Sequence, residues 1–427
     1  QSITLQQPAS SVLKLSDEDK EFLDGKRGPA AQVAMEVLCL MAAAQGANEL
    51  TSVSRGHIDG CILAHDANLD FAEKMLQMGA KTVIPTTINA ISVDRENWQT
   101  QRIIPEFGLK ASRLADAYVK MGVRPTFTCA PYLLEDQPDQ DEAIGWSESN
   151  AVIYANTVLG ARTEKHPDYL DLFIAMTGRA PLAGAYLTEN RTPTCELRVQ
   201  PPEVFDDAFW PMLGWLAGSK SPRTIPVITG LEYLTPSKDD LKAVCAAFGT
   251  TSAAPMLHVR GHTPEATLPL RHGADIHDIT VADFAKCWQD FNVMTETVDL
   301  VAIGSPHASF SECLAFANAL GDRHCHSKTD TIITVGRNVL AQCASSGVLN
   351  RLKDAGVRII PDLCWCSITE PILPVNAKVL MTNSGKYAHY ANGLTGRAVR
   401  FGCLEACADT AVTGKAVCAL PDWLGVK

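Results

Sequence analysis

The sequence predicts an α/β protein with several mainly parallel sheets that are covered by helices on both faces. Amphipathic helical stretches alternate with short apolar runs rich in β-branched residues, and a glycine often separates the two. The residues after these runs are polar or carry thiols, and they do not match ordinary turn sequences. Because parallel sheets bind ligands outside the carboxyl ends of their strands, we predict an active site at these ends, between domains.

The alternation gives a set of predicted elements. Helices are predicted at 67–78 and 112–121. Strands are predicted at 81–87, 123–128, 298–304, 357–361 and 378–382, and a further short α/β segment within 225–290. The reactive side chains at the predicted strand ends are Cys129, Ser305, His307, Cys364, Asn383 and Lys386.

The composition limits the domain count and the class of partner. At 427 residues and 46% hydrophobic composition, the chain can bury more than one core, and changes of composition suggest divisions at 1–200, 201–290 and 291–427. The net charge of −11, without a dense Lys/Arg patch, argues against nucleic-acid partners. No apolar run reaches the length of a membrane span, so a cytoplasmic protein with a small-molecule partner is expected.

Most of the 14 cysteines lie in apolar helical patterns, which is typical of reduced thiols packed in a core. Cys129 differs because the Ala-Pro after it keeps the thiol on a loop. Cys364 and Cys366 form a C-x-C pair, and Cys403 and Cys407 form a C-x-x-x-C pair. These spacings match neither zinc ribbons nor ferredoxins, so the thiols are either buried structural residues or single ligands converging from separate strand ends.

The segment 145–163, GWSESNAVIYANTVLGART, is rich in groups that can bind a carboxylate and orient a hydroxyl. A helix N-cap would account for one serine, Ser147 or Ser149, whereas Glu148, Asn150 and Arg162 remain unexplained by that cap. Arg162 is predicted to grip a carboxylate with two hydrogen bonds.

The segment NSGK at 383–386 places Lys386 after a glycine at a strand end, where Asn383 and Ser384 can offer backbone N–H groups to an anion. It lacks the spacing of a nucleotide-binding P-loop. His307 in GSPHASF is a further candidate, although a lone histidine is more often structural.

Two other classes of function remain open from the residues alone. His57, Asp59, His65 and Asp66 could form the metal site of a hydrolase, although no H-E-x-x-H motif is present. A non-catalytic ligand-binding α/β protein is the second alternative.

Eight motifs occur in an order that resembles the large catalytic component of aconitase X, from about residue 50 to the C-terminus. They are SRGHIDG, PTTINAISVD, TCAPYL, GWSESNAVIYANTVLGART, TGRAPLAGAYLTENR, GSPHAS, DLCWC and TNSGKYAHY. The resemblance implies α/β domains in an aconitase-like arrangement around an iron–sulfur cluster held by three cysteines. It assigns Cys129 and Cys364 as ligands, and Cys407 is favoured as the third over Cys403 or Cys366, with a 2Fe-2S cluster favoured.

The resemblance also implies the reaction. One branch of the family has G-C-P-H where this chain has Ser305, and the loss of that thiol favours the branch that dehydrates cis-3-hydroxy-L-proline to pyrroline-2-carboxylate. Mevalonate 5-phosphate is the alternative substrate. The implied catalytic residues are Glu148, Ser149 and Lys386, and the implied substrate-binding residues are Asn150, Arg162, His307, Asn383 and Ser384. No segment resembles the family's small swivelling domain, so a small subunit or a fused domain is expected as a partner.

Overall fold

The computed structural model describes residues 13–425, so residues 1–12 of the first predicted division lie outside the described part. Its elements form three consecutive groups, which we call the first, second and third units. The first unit contains α1 (Asp17–Leu23), α2 (Pro29–Ala44), β1 (Leu50–Ser52), β2 (Gly56–Ile58), α3 (Asp66–Gln77), β3 (Thr86–Ile88), α4 (Pro105–Lys120), β4 (Gly145–Trp146), α5 (Ser149–Tyr154), α6 (Leu170–Thr177) and β5 (Arg179–Pro181).

The second unit contains β6 (Cys195–Val199), α7 (Phe209–Lys220), β7 (Pro226–Thr229), α8 (Lys238–Thr251), β8 (His258–Val259), β9 (Asp275–Ile279) and α9 (Val281–Phe291). The third unit contains β10 (Leu300–Ile303), α10 (Phe310–Leu320), β11 (Asp330–Val335), α11 (Arg337–Ser346), α12 (Val348–Asp354), β12 (Arg358–Pro361), β13 (Val379–Thr382), α13 (Gly385–Thr395), β14 (Ala398–Phe401) and α14 (Leu404–Thr413). A π-helical turn at Ala155–Leu159 continues α5.

The sheets confirm the predicted mainly parallel α/β class. The first unit has a parallel sheet in the order β3-β2-β4, the second has β8-β7-β6-β9, and the third has β12-β11-β10-β13-β14. The antiparallel pair β1–β5 is the exception. The strands β10, β11 and β13 of the five-stranded sheet are buried along most or all of their length, as expected when helices cover both faces.

The strand order of the third unit creates a switch point. The chain runs outward from β10 through β11 and β12, and then returns to place β13 and β14 on the other side of β10. The loops after β10 and β13 therefore leave the sheet in opposite directions and open a crevice between them. Gly304 is required at the end of β10, because its φ is 102° and a Cβ there would lie 2.3 Å from the Thr334 carbonyl oxygen.

One predicted strand is not formed. Residues 123–128 run beside β3, and the Thr128 N–H donates to the Ile88 carbonyl at 3.0 Å. However, the Ile88 N–H donates to the Thr126 hydroxyl instead of a backbone carbonyl, and Phe127 has a φ of 41°. The side chain of Thr126 thus replaces one rung of the ladder, and the backbone bends just before Cys129. The strand predicted at 81–87 is shortened to β3, whereas β10, β12 and β13 lie where strands were predicted.

The first and third units meet through residues that follow strands. Arg337 donates to both carboxylate oxygens of the buried Asp362, at 2.8 and 2.6 Å. The Asp362 carbonyl accepts from the Ile91 N–H at 2.8 Å, and the Ser367 hydroxyl donates to the Ile91 carbonyl at 3.0 Å. These contacts hold the loop after β12 against the loop after β3.

The second unit is tied to the first by a buried arginine. Arg191 is fully buried and donates to the carbonyls of Ala185 at 2.9 Å and Ala161 at 3.0 Å, and its Nε donates to Glu265 at 2.7 Å. Within residues 13–425, no helix combines the length and the apolar character that crossing a membrane demands.

We expect Arg191→Met to lower the free energy of unfolding by about 3–5 kcal/mol, because Glu265 and several buried carbonyls would lose their partner. Urea denaturation followed by fluorescence measures the effect. Arg198→Met is the matched control: its pair with Glu196 is 55% exposed on the arginine side, and the expected change is below about 0.5 kcal/mol. Equal effects of the two substitutions would contradict this account.

Candidate active site

Three thiols from two units converge at one buried point. Cys129 follows the bent segment beside β3, and Cys364 and Cys366 follow β12. Cys129, Cys364 and Ala90 form a small buried cluster, with Cys366 packed against it. The Cys364 thiol is within hydrogen-bonding reach of both Cys129 and Cys366, so it is their shared neighbour. The structure thus brings together two of the predicted ligands and adds Cys366.

The surroundings of these thiols suit a metal centre. The hydrogen bond to Cys129, together with burial, raises the pKa of the Cys364 thiol to about 12. The hydrogen bond to Cys364, together with burial, also raises the pKa of Cys366 well above its ordinary value. Several thiolates in one buried site without water therefore need a strong positive charge nearby to be stable, and a bound iron centre would supply that charge. Clustered thiolates are the ligands that iron–sulfur clusters prefer, so Cys129, Cys364 and Cys366 fit this group.

Cys407 does not join this cluster, so the structure does not support it as the third ligand. It is buried in the core of the third unit, and its thiol lies 3.9 Å from the Gly402 carbonyl. Cys403 caps α14 and lies beside Asp206 and Asp207, with ligand atoms of the three residues within 4.8 Å of one another. The Cys403–Cys407 pair follows β14, at the edge of the sheet and away from β12 in the strand order.

His307 holds the two thiol loops together. One of its ring nitrogens, Nδ1, lies 3.0 Å from the Thr128 hydroxyl, and Nε2 lies 2.6 Å from the Leu363 carbonyl. Its backbone N–H donates to the Cys129 sulfur at 3.3 Å. Burial lowers the pKa of this histidine to about 4, so the ring is neutral. Since both ring nitrogens of His307 have partners inside the protein, neither nitrogen is available to a substrate. This differs from the predicted substrate-binding role.

A buried ion pair lies next to the thiols. Glu148 is the N-cap of α5 and accepts from the Ala151 N–H at 2.8 Å through Oε2. Its other oxygen, Oε1, accepts from Lys386 Nζ at 3.0 Å, and both side chains are about nine-tenths buried. Burial alone would lower the pKa of Lys386, but Glu148 and the thiols of Cys366, Cys129 and Cys364 outweigh it and raise the pKa well above its usual range. The pair therefore consists of a carboxylate and an ammonium ion.

Asn150 supports this pair instead of facing an open space. Its amide nitrogen donates to Glu148 Oε2 and, at 2.9 Å, to the Cys129 carbonyl. Its amide oxygen accepts from the Tyr132 hydroxyl at 2.6 Å. The predicted substrate-binding role is therefore replaced by a positioning role that connects Glu148 to the Cys129 loop.

Arg162 lies apart from the thiols and Glu148. It donates to Asp141 at 3.2 Å and to the Tyr186 carbonyl at 3.0 Å. Its side chain is 17% exposed, but the guanidinium is already paired. The Arg162 guanidinium therefore has no free pair of N–H groups with which it could bind both oxygens of a substrate carboxylate.

Asn383 and Ser384 lie where the sequence predicted, in the crevice between the loops after β10 and β13. With Ser305, Pro306, Gly385 and Lys242, they line a small pocket. Ser384 caps α13 by accepting from the Tyr387 N–H at 3.0 Å.

Ser149 begins α5 next to Glu148 and packs against Gly249 of α8. Ser149 therefore lies on the first turn of α5, at the edge of the site that contains Glu148 and Lys386.

Comparison with protein families gives three consecutive matches to aconitase X: the first domain matches residues 12–189, the second domain 193–289 and the third domain 298–413. The chain belongs to the aconitase X family. A solved structure, the holo-form of Thermococcus kodakaraensis aconitase X, superposes with a TM-score of 0.84 at 29% identity and covers 93% of this chain and 100% of its own chain.

Two curated members of the aconitase X family are named cis-3-hydroxy-L-proline dehydratase. The protein from Pseudomonas aeruginosa is 45% identical over 96% of this chain and 72% of its own length. The protein from Hypocrea jecorina is 43% identical over 94% of this chain and 69% of its own length. More distant relatives, at 27–30% identity, are named phosphomevalonate dehydratase large subunit.

Sequence reasoning missed part of this aconitase X site. Asp59 and Asn89 follow the neighbouring strands β2 and β3, and their side chains are hydrogen-bonded to each other. The sequence suggested Asp59 only as a ligand in the metal site of a hydrolase. It suggested Cys366 only as a less favoured third ligand of the cluster. The strand-end rule gave a signal for Asn89, because PTTIN ends an apolar run, but not for Asp59, because its strand consists only of Gly56–Ile58. His65 and Asp66 lie at the start of α3, and no metal group that includes them is found among residues 13–425.

A buried histidine, His166, lies beside the loop before Glu148. The Ser147 hydroxyl donates to the His166 carbonyl at 2.7 Å, and His166 Nε2 contacts the Tyr186 hydroxyl at 2.7 Å. Burial lowers the pKa of His166 to about 3. Since the unfolded chain takes up this proton below about pH 6.5 and the folded chain does not, this histidine destabilises the fold progressively as the pH falls below that value.

We expect His166→Gln to flatten the pH dependence of stability. Between pH 7.5 and pH 5, the free energy of unfolding of the wild type should fall by about 2 kcal/mol more than that of the variant, because only the wild type has a histidine here that protonates on unfolding. Urea midpoints at the two pH values measure the difference. His272→Gln, at an exposed position, is the control and should behave as the wild type does. Identical pH profiles for all three proteins would contradict the assignment.

Proposed function

We propose that this chain carries the catalytic, iron–sulfur-dependent part of a dehydratase that converts cis-3-hydroxy-L-proline to pyrroline-2-carboxylate. The observation that carries the proposal is the convergence of Cys129, Cys364 and Cys366 beside the buried Glu148–Lys386 pair. Thiol ligands and an acid–base pair are what the removal of water from a hydroxy acid requires. The names of the relatives at 43–45% identity support the same reaction.

The choice of substrate rests on identity and charge. Relatives named phosphomevalonate dehydratase large subunit are only 27–30% identical. A phosphate group would call for clustered cations. Within residues 13–425, Lys386 is paired with Glu148, Arg162 with Asp141 and Lys242 with Glu312. This arrangement favours a substrate with a single carboxylate over mevalonate 5-phosphate.

Cys129, Cys364 and Cys366 would hold the cluster, and we favour the 2Fe-2S type. When bound, such a cluster supplies a Lewis acid for the hydroxyl of the substrate. Ser305 stands at the cis peptide before Pro306 and lines the crevice with a hydroxyl instead of a thiol.

The residues of the chain supply the remaining chemistry. Glu148, held in place by Lys386 and by two N–H donors, takes the proton alpha to the substrate carboxylate. The Lys386 ammonium stabilises the negative charge that develops on the carboxylate as this proton leaves. The N-terminus of α13, next to Asn383, offers backbone N–H groups to the same carboxylate, but not that of Ser384, which already donates to the Thr382 hydroxyl at 3.1 Å. Ser149 lies beside Glu148 to orient the ring.

A small domain or subunit completes this site in our proposal. The chain spans 69–72% of the length of the curated cis-3-hydroxy-L-proline dehydratases, and the more distant relatives are named as large subunits. The test of the function is anaerobic purification of the full-length enzyme with any such partner. Both candidate substrates are then assayed side by side. Turnover of mevalonate 5-phosphate alone would overturn the substrate assignment.

We expect Cys364→Ser to lose bound iron, visible absorption and turnover together, because Cys364 is the shared neighbour of the other two thiols. Iron and sulfide analysis and the absorption spectrum measure the loss. Cys407→Ser is the matched control, a buried thiol in another core, and should retain its iron content. If Cys407→Ser loses the cluster and Cys364→Ser keeps it, the ligand assignment is wrong.

We expect Glu148→Gln to reduce kcat by about 10²–10⁴-fold, because an amide cannot accept the alpha proton. Steady-state kinetics on cis-3-hydroxy-L-proline measure the change, and the rate of alpha-deuterium exchange reports proton removal separately. Glu142→Gln is the control: this carboxylate pairs with Arg55 on the same unit and lies outside the site. A variant that still exchanges the alpha proton at the wild-type rate would exclude Glu148 as the base.

A further inference from the structure

A second carboxyl group, Asp59, lies at the strand ends next to Glu148 and has no part in the reaction described so far. It follows β2, the central strand of the three-stranded sheet. Asn89 follows β3 on one side, and Glu148 follows β4 on the other. Because all three strands are parallel, the three side chains emerge at the same edge of the sheet.

The two oxygens of the Asp59 carboxyl differ in their hydrogen bonds. Its Oδ1 accepts from the Asn89 amide, and its backbone N–H donates to Asp171 Oδ2 at 2.7 Å. Among residues 13–425, no group donates a hydrogen bond to its other oxygen, Oδ2, and the residue is only half-buried. The carboxyl is thus held in one orientation with one oxygen available to a ligand.

The charges around Asp59 are negative. Burial raises its pKa well above the ordinary value, and the carboxylates of Glu148, Asp168 and Asp171 act in the same direction against the weaker effect of Asn89. Cys61, the remaining titratable group facing it, is itself buried and has a raised pKa. Burial and the neighbouring carboxylates therefore favour the protonated form of Asp59.

Glu148 lies in the opposite environment. Its Oε1 accepts from Lys386 Nζ, and its Oε2 accepts from the Ala151 N–H and the Asn150 amide. Two carboxyl groups at one sheet edge thus have different partners: Glu148 faces a cation and two N–H donors, and Asp59 faces other carboxylates and one amide. Such a difference is how active sites assign one carboxyl to donate a proton and another to accept one.

We propose that Asp59 is the catalytic acid of the dehydration, an inference that rests on the proposed function. The Asp59 carboxyl gives its proton to the departing hydroxyl oxygen as the carbon–oxygen bond breaks, and the oxygen leaves as water. The alpha proton goes to Glu148, and the electron pair of that carbon–hydrogen bond forms the new double bond. Afterwards Glu148 releases its proton and Asp59 regains one from water, so no atom is oxidised or reduced.

The test is Asp59→Asn in the full-length holoenzyme. The amide can still accept from Asn89 but has no carboxylic proton to give. We expect kcat on cis-3-hydroxy-L-proline to fall at least 100-fold, with KM within about 3-fold of the wild type. The visible absorption and iron content should be unchanged. Loss of the cluster would mean that Asp59 has a structural role and would overturn the proposal.

Asp168→Asn supplies a second test that does not depend on the folding of the first variant. Asp168 contributes negative charge next to Asp59 but lies on the exposed side. Its removal lowers the pKa of Asp59, and activity requires the protonated acid. The alkaline limb of the kcat–pH profile should therefore move to lower pH by at least about 0.3 unit, while kcat at its optimum stays within about 3-fold.

The outcomes separate the inference from the proposed function. If the wild type does not dehydrate cis-3-hydroxy-L-proline, the proposed function fails and the inference fails with it. If the wild type is active but Asp59→Asn keeps kcat within 5-fold, or the Asp168→Asn profile does not move, the inference alone is overturned.

Discussion

The imidazole of His307 connects the two halves of the thiol site. One ring nitrogen contacts Thr128 and the other contacts the Leu363 carbonyl, and each of these residues directly precedes a thiol of the cluster. A carbonyl can only accept, so Nε2 carries the hydrogen and Nδ1 accepts from the hydroxyl. This assignment follows because burial keeps the ring neutral, which leaves one ring nitrogen without a hydrogen. This neutral side chain thus fixes the loops of Cys129 and Cys364, which belong to different units, directly to each other.

The Glu148–Lys386 pair crosses the same boundary between units. Glu148 begins α5 in the first unit, and Lys386 lies in the first turn of α13 in the third. A buried ion pair adds little net stability when compared with apolar contacts, but loss of either partner leaves an uncompensated charge. The pair therefore acts mainly as a constraint on position, and it places a fixed carboxylate beside the thiols. Asn150 and Tyr132 add a chain of hydrogen bonds that limits rotation of that carboxylate.

The strand-end rule predicted much of the site from the sequence, because parallel strands deliver their following residues to one edge whatever the details of packing. It placed Cys129, Cys364 and Lys386 at strand ends, whereas Glu148 was singled out by the polar composition of segment 145–163. The third thiol and Arg162 could not be settled, because the choice depends on tertiary contacts that spacing does not encode. Cys407 turns into the core behind β14, and Arg162 is taken by Asp141. The bent segment before Cys129 was predicted as a strand, since nothing in its composition signals that Thr126 would replace a backbone donor or acceptor.

In the proposed function, the high pKa values of Cys364 and Cys366 also affect the protein before it binds the cluster. Oxidants attack the thiolate form, and burial together with hydrogen bonding keeps both sulfurs protonated. The newly folded apoprotein is therefore slow to form a disulfide at the place where the metal must enter. Loading the site releases protons, so maturation becomes easier as the surroundings turn more alkaline.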